Sequence, residues 1–150
     1  MFEKATDDNK DEKMTKNRLG EIATAYMQVW SAGKQDLLDK YADKNLVIDY
    51  PHFEKPFSGI AECKSMLEAA YSFFPDISIT VEKIIPNKED NSVTLMWEYT
   101  GTHKQGNLFG TEPSGRKVLV RGMTLLEFLN GKVVRETGIV DNFGLLMQLK

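Results

Sequence analysis

The chain predicts an α+β fold: a curved, mostly antiparallel sheet wrapped on helices gathered toward the N-terminal end. Three observations carry this. Apolar residues recur at helical spacing up to about Phe74, then switch to two-residue alternation from Ile77 onward. An Asn130-Gly131 pair sits between two alternating runs, which is the strongest short signal for a hairpin. Helices segregated ahead of a long meander place the helices on one face of the sheet, so that the bent sheet encloses a conical pocket.

The 150 residues suit one domain, expected over residues 15–150 behind a flexible arm at residues 1–14. That arm is dense in mixed charge and has almost no apolar content after Phe2. The net charge of −3 and the absence of a Lys/Arg cluster interleaved with aromatics argue against a nucleic-acid partner. Cys63 is the one cysteine, so no internal disulfide forms, and its helical setting makes it a small core residue. The N-terminal stretch lacks the apolar run of a signal peptide, and no apolar run reaches the roughly 20 residues of a membrane span. The expectation is a cytoplasmic protein with no membrane partner.

The elements follow in order. Thr15 is placed to cap a helix over about 16–31, with Leu19, Ile22, Ala23, Tyr26, Val29 and Trp30 on its apolar side, ended by Gly33. Lys34–Ala42 reads as a short second helix. Leu46–Tyr50 is an apolar strand stopped by Pro51, and His52–Phe57 is a loop. Ile60 to about Phe73 is a third helix. Ile77, Ile79 and Val81 alternate as a half-buried strand, Asn87–Asn91 turns, and Ser92–Thr102 alternates again. Lys104–Arg116 is Gly-rich and irregular. The strand to Phe128 and the strand after Gly131 form the closing hairpin, and Phe143–Leu149 is one last helical turn.

Several side chains are candidates for chemistry. Asp141 sits among Ile139, Val140, Phe143 and Leu145, a setting that strips solvation from a carboxylate and raises its pKa toward proton-transfer range. The alternative role for Asp141 is N-cap of the closing turn. His103 falls where its strand leaves the sheet, as a proton shuttle at the pocket rim or a surface histidine. Asp49, Tyr50 and His52 cluster at the end of the first strand, where Tyr50 could donate to a ligand carbonyl. Tyr26 and Trp30 share a helix face as core or pocket wall. Trp97 and Tyr99 alternate toward one face and line the cavity or a dimer surface; Met123 supplies adaptable apolar wall. Arg121 and Glu136 are read as a structural ion pair on neighbouring strands. Two widely spaced histidines give no zinc pattern, and neither a phosphate loop nor a G-x-S-x-G or H-E-x-x-H motif occurs, so no metal or cofactor is expected. Apolar residues on both faces of the meander, with Trp97, Leu119, Met123 and Leu125 as candidates, predict a homodimer.

An ordered set of motifs adds to this reading. Phe74-Pro75-Asp76 precedes a strand, and Gly101-Thr102-His103 is followed by Gly106 and Phe109-Gly110. Pro113-Ser114-Gly115-Arg116 leads into the strand to Phe128, then come Gly131-Lys132-Val133-Val134-Arg135-Glu136 and Asp141 with Gly144-Leu145-Leu146-Met147-Gln148-Leu149. Over residues 17–149 the chain resembles the NTF2-like superfamily, a cone-shaped α+β fold, and within it the SnoaL-like polyketide cyclase group. The resemblance implies acid–base chemistry on a small apolar carbonyl compound, with Asp141 at the place of that group's general acid/base. Thr137-Gly138 stands where that group commonly carries a histidine after the glutamate. The ketosteroid isomerase branch shares the fold. Tyr26 matches the place of its oxyanion tyrosine, while Tyr50 and Thr124 occupy the places of its two aspartates. A binding module holding an apolar ligand without turnover is the other reading.

Overall fold

In the computed structural model the described residues are 17–87 and 89–150. The expected arm at residues 1–14 and the Thr15 cap lie outside them. The first helix, α1, covers 17–27 among the described residues and tightens into a 3-10 turn at Gln28–Trp30. It buries Tyr26, Met27 and Val29 completely, each removal of such a side chain from water contributing about 1.5–3 kcal/mol. Gly33 then reverses the chain with a φ of 77°, a left-handed value that glycine adopts without a Cβ penalty.

The second helix, α2 (Leu37–Tyr41), is shorter than its spacing predicts, because the first strand begins early: β1 runs Ala42–Asp49, with Ala42 already paired to Val133. Two residues of the following loop, Phe57–Ser58, fold back on β1 as β2. The third helix, α3 (Ile60–Phe73), buries Cys63, Met66 and Leu67. Four long strands follow: β3 (Ser78–Pro86), β4 (Ser92–Thr102), β5 (Lys117–Leu129) and β6 (Lys132–Val140). A final helix, α4 (Asn142–Leu149), extends the expected single turn to eight residues.

The sheet order is β2-β1-β6-β5-β4-β3. The meander is antiparallel, whereas β1 joins β6 in parallel, so the first strand closes the sheet against the last. The Asn130-Gly131 turn has φ of 53° and 76°, the paired left-handed conformation of a type I′ hairpin.

One irregularity decides which side chains face inward. Glu127 pairs with Arg135 but Phe128 pairs with Val133, leaving an extra residue in β6. Such a bulge slips the pairing by one residue and exchanges the two faces beyond it. Val133 is buried, and after the bulge Glu136 and Gly138 are the buried positions while Ile139 is 69% exposed.

Two apolar clusters fill the fold. The larger joins α1, α2, α3 and β1 to the sheet; the smaller gathers Phe74, Ile77, Val118, Val120, Leu145 and Leu149.

Candidate functional site

Members of both clusters line a partly open cavity of about 360 Å³. Helix α1 contributes Trp30 through its 3-10 turn; the end of β1 contributes Tyr50, His52 and Phe53; β4 contributes Trp97 and Tyr99. Helix α3 adds Met66, Ala69, Ala70 and Phe73, and the irregular loop after β4 brings Leu108 and Phe109. The surface is almost wholly apolar, as a pocket for a small hydrophobic molecule requires.

The polar chemistry lies just behind this wall. Glu136 is completely buried. Its Oε1 accepts a hydrogen bond from the Tyr26 hydroxyl at 2.6 Å, and its Oε2 accepts from the Trp30 indole N–H at 2.8 Å and from the Tyr50 hydroxyl. Tyr50 Oη is also 2.8 Å from Thr124 Oγ1, which accepts from the Trp97 indole N–H at 2.8 Å. The two indoles can only donate, and Tyr50, whose one hydroxyl proton goes to Glu136, accepts from Thr124. Trp97 fills an acceptor site on Thr124, the Thr124 proton serves Tyr50, and the Tyr50 proton serves Glu136. Three donors thus converge on one carboxylate.

The electrostatics follow. Burial raises the Glu136 pKa above the ordinary carboxylate value, while the hydrogen bonds from Tyr26, Tyr50 and Trp30 pull it back. Burial, and then the neighbouring Glu136 charge, push the Tyr26 and Tyr50 phenols well above 10, so both remain protonated donors. Burial likewise raises Tyr99, and pushes the Cys63 thiol up to about 12, which leaves it inert as a nucleophile. His52 stands exposed at the rim with its ring 4.4 Å from Phe53, and the packing on that side lowers its pKa below 6.5.

Two glycines make room for this arrangement. A Cβ on Gly138 would run into the Tyr50 ring, and one on Gly122 into the Trp97 ring. The Thr137-Gly138 step therefore has a steric purpose: Tyr50 lies in the space a side chain at 138 would take.

Of the expected site residues, the structure brings Tyr50, Trp30, His52, Trp97 and Tyr99 to the cavity. Tyr26 lies beneath it on Glu136. Asp141 is exposed and does not line the cavity; its carboxylate accepts the Gly144 N–H at 2.8 Å as the N-cap of α4. His103 is buried behind the wall and does not line the cavity: its ring packs 5.9 Å from that of the lining residue Phe74, with Nε2 at 2.6 Å from the Gly106 carbonyl and Nδ1 without a partner among the described residues. Asp49 turns to Arg135 at 3.1 Å. Met123 is 47% exposed on the outer face, because it pairs with Met96 and Ile139 rather than with the inward row. The expected Arg121–Glu136 pair does not form: Arg121 sits opposite Glu98, 3.7 Å from its carboxylate, and the bulge turns Glu136 inward. Glu136 and Thr124 are the residues sequence reasoning did not select for the site. Among the described residues, no group of three or more His, Cys, Asp or Glu side chains could hold a metal ion, and no helix is long and apolar enough to cross a membrane.

A curved sheet closed by N-terminal helices over a cavity defines the ketosteroid isomerase-like class of α+β cone. Within that class the chain belongs to the SnoaL-like polyketide cyclase family, whose sequence model matches residues 20–149. A solved structure of a candidate polyketide cyclase from Acidithiobacillus ferrooxidans is similar at 24% identity and a TM-score of 0.78, over 88% of this chain and 94% of that one. IdmH from Streptomyces antibioticus, also a candidate polyketide cyclase, is similar at 22% identity and a TM-score of 0.74, over 87% and 97%. A protein of ketosteroid isomerase-like fold from Catenulispora acidiphila, solved with trimethylamine, is similar at 17% and 0.70, over 85% and 91%. At these identities the likeness speaks to the fold alone. No curated protein matches the chain.

Proposed function

We propose that the chain is a small-molecule enzyme of the cyclase or isomerase type, acting without a cofactor on an apolar carbonyl compound held in the cavity. The observation that carries this reading is Tyr50, a wall residue whose hydroxyl is wired to a buried carboxylate. In the proposed reaction, neutral His52 takes the proton alpha to the carbonyl. The Tyr50 O–H turns from Glu136 to the oxygen that gains the charge, leaving Glu136 with Tyr26 and Trp30. The proton then passes from His52 to a different carbon of the enolate, giving an isomer, or the enolate carbon attacks a second carbonyl and His52 gives its proton to the resulting alkoxide, closing a ring as a hydroxyketone.

This is testable on 2-tetralone in deuterated buffer. Protein-accelerated deuterium uptake at the alpha carbons, followed by NMR and lost in Tyr50→Phe and in His52→Gln, is the expected result. A ketone that binds without accelerated exchange would favour the second reading, a binding module without turnover. That reading draws on one observation: among the described residues no carboxylate lines the cavity.

The resemblance assigns proton transfer to Asp141, and the capping geometry assigns it a structural task. Asn caps a helix about as well as Asp, so Asp141→Asn removes the charge and keeps the cap. Unchanged deuterium uptake with an unchanged unfolding midpoint is expected. Loss of exchange in a stable variant would return Asp141 to the reaction.

We also propose a homodimer through the outer sheet face. Met96, Met123 and Ile139 are exposed and lie opposite one another across β4, β5 and β6, with Leu119 further along. An apolar row of this kind is a candidate interaction surface. Sedimentation at micromolar concentration should show a dimer, with Ile139→Lys shifting it to monomer; a monomeric parent protein would refute the interface.

A further inference from the structure

Among the described residues the buried carboxylate has no counter-cation. Its three partners, Tyr26, Trp30 and Tyr50, are neutral donors. The nearby arginines on the same strands are engaged elsewhere, Arg135 with Asp49 and Arg121 with Glu98. Among the described residues no Lys or Arg lines the cavity, and His52 is the one lining side chain that could become a cation. Three converging donors, one of them an indole N–H that can only donate, favour the ionised form of the carboxylate, whose field is weakly screened inside the protein. The upward push that Glu136 gives to Tyr26, Tyr50 and Cys63 is the same field felt by neighbouring acids. Tyr50 and Trp30 both line the cavity and hydrogen-bond this carboxylate.

The wall itself suits positive charge. Trp30, Tyr50, Trp97 and Tyr99 converge on the cavity together with Phe74. Their ring faces carry negative potential, which attracts cations, above all weakly hydrated alkylammonium groups. The buried carboxylate and the aromatic wall thus both favour a cation over an anion.

We propose that the molecule held in this cavity is an apolar compound carrying a cationic amine, and that carboxylates of the same size are excluded. The inference rests on the reading of the cavity as a ligand site. It narrows the carbonyl compound of that reading to one that also bears an amine. It depends on Glu136 rather than on turnover, so binding alone tests it.

Three probes of one shape separate the terms: benzyltrimethylammonium, its uncharged counterpart neopentylbenzene, and the anion 3-phenylpropanoate. Their affinities for the wild-type protein are measured by titration calorimetry at neutral pH. The cation is expected to bind and the anion to bind roughly a hundredfold more weakly. Glu136→Gln should weaken the cation about tenfold and leave neopentylbenzene within about twofold. An anion that binds as well as the cation, or a Glu136→Gln variant that keeps full cation affinity, overturns the proposal while the cavity remains a ligand site. If none of the three binds, the ligand-site reading falls with it. Should Glu136→Gln not fold, the cation-to-anion ratio in the wild-type protein decides alone.

Discussion

Glu136→Ala is expected to cost about 3–5 kcal/mol of folding free energy, the range seen when one partner of a buried charged network is removed. The truncation leaves the hydroxyls of Tyr26 and Tyr50 and the indole N–H of Trp30 without their acceptor, and all three point into a dry space. An orphaned buried donor is itself costly, about 1–3 kcal/mol each when no water replaces the lost partner. Glu136→Gln keeps the volume and one acceptor oxygen but turns an amide N–H₂ toward a donor, so a smaller loss of about 1–3 kcal/mol is expected. Urea unfolding with an unchanged slope reads both values; a loss in Glu136→Ala below about 1 kcal/mol would show that the network contributes little.

The same residue gives a pH signature. Burial holds the native Glu136 pKa above 4.5, so the native state binds the proton more tightly than the unfolded chain does. The stability linked to that proton is fully present below the unfolded value and is lost as pH rises through the native value. Stability measured from pH 4 upward should therefore carry a falling contribution that Glu136→Gln lacks. A difference curve between the two proteins that is flat across this range would remove the argument.

The fold was more legible than the site because its signals are local. The Asn130-Gly131 turn and the alternation through Trp97 and Tyr99 are read from neighbouring residues, and the structure reproduces both. The parallel pairing of β1 with β6 joins residues far apart in sequence and leaves no local mark. Glu136 was hidden by the bulge in β6. Counting by twos from Val133 puts Arg135 and Thr137 inward and Glu136 outward, as a partner for Arg121. One extra residue reverses that assignment. Asp141 shows the opposite case: its apolar sequence neighbours suggested a hidden carboxylate, yet it falls just after the strand, where the chain needs a helix cap. Tyr50 and Thr124, far apart in sequence, are brought to 2.8 Å of each other as a hydrogen-bonded pair that no local pattern marks.

Gly138→Ala is expected to cost about 1–3 kcal/mol, at the upper end of what one extra methyl does in a packed core. The new Cβ would stand 2.8 Å from the Met123 carbonyl oxygen, which backbone pairing holds in place, and would overlap the Tyr50 ring. That ring has little freedom to withdraw. Trp30 and Phe53 meet it edge-on, each at 5.7 Å, and its hydroxyl is tied to Glu136 and Thr124. Moving the ring enough to admit a methyl therefore breaks the bond to Glu136, so one substitution disturbs packing and the charged network together. Coupling identifies this mechanism. In a Tyr50→Ala background the ring is absent, and Gly138→Ala should cost at least 1 kcal/mol less than in the wild-type protein. Strict additivity in that double-mutant cycle would mean that the backbone contact, rather than the seat for Tyr50, explains the glycine.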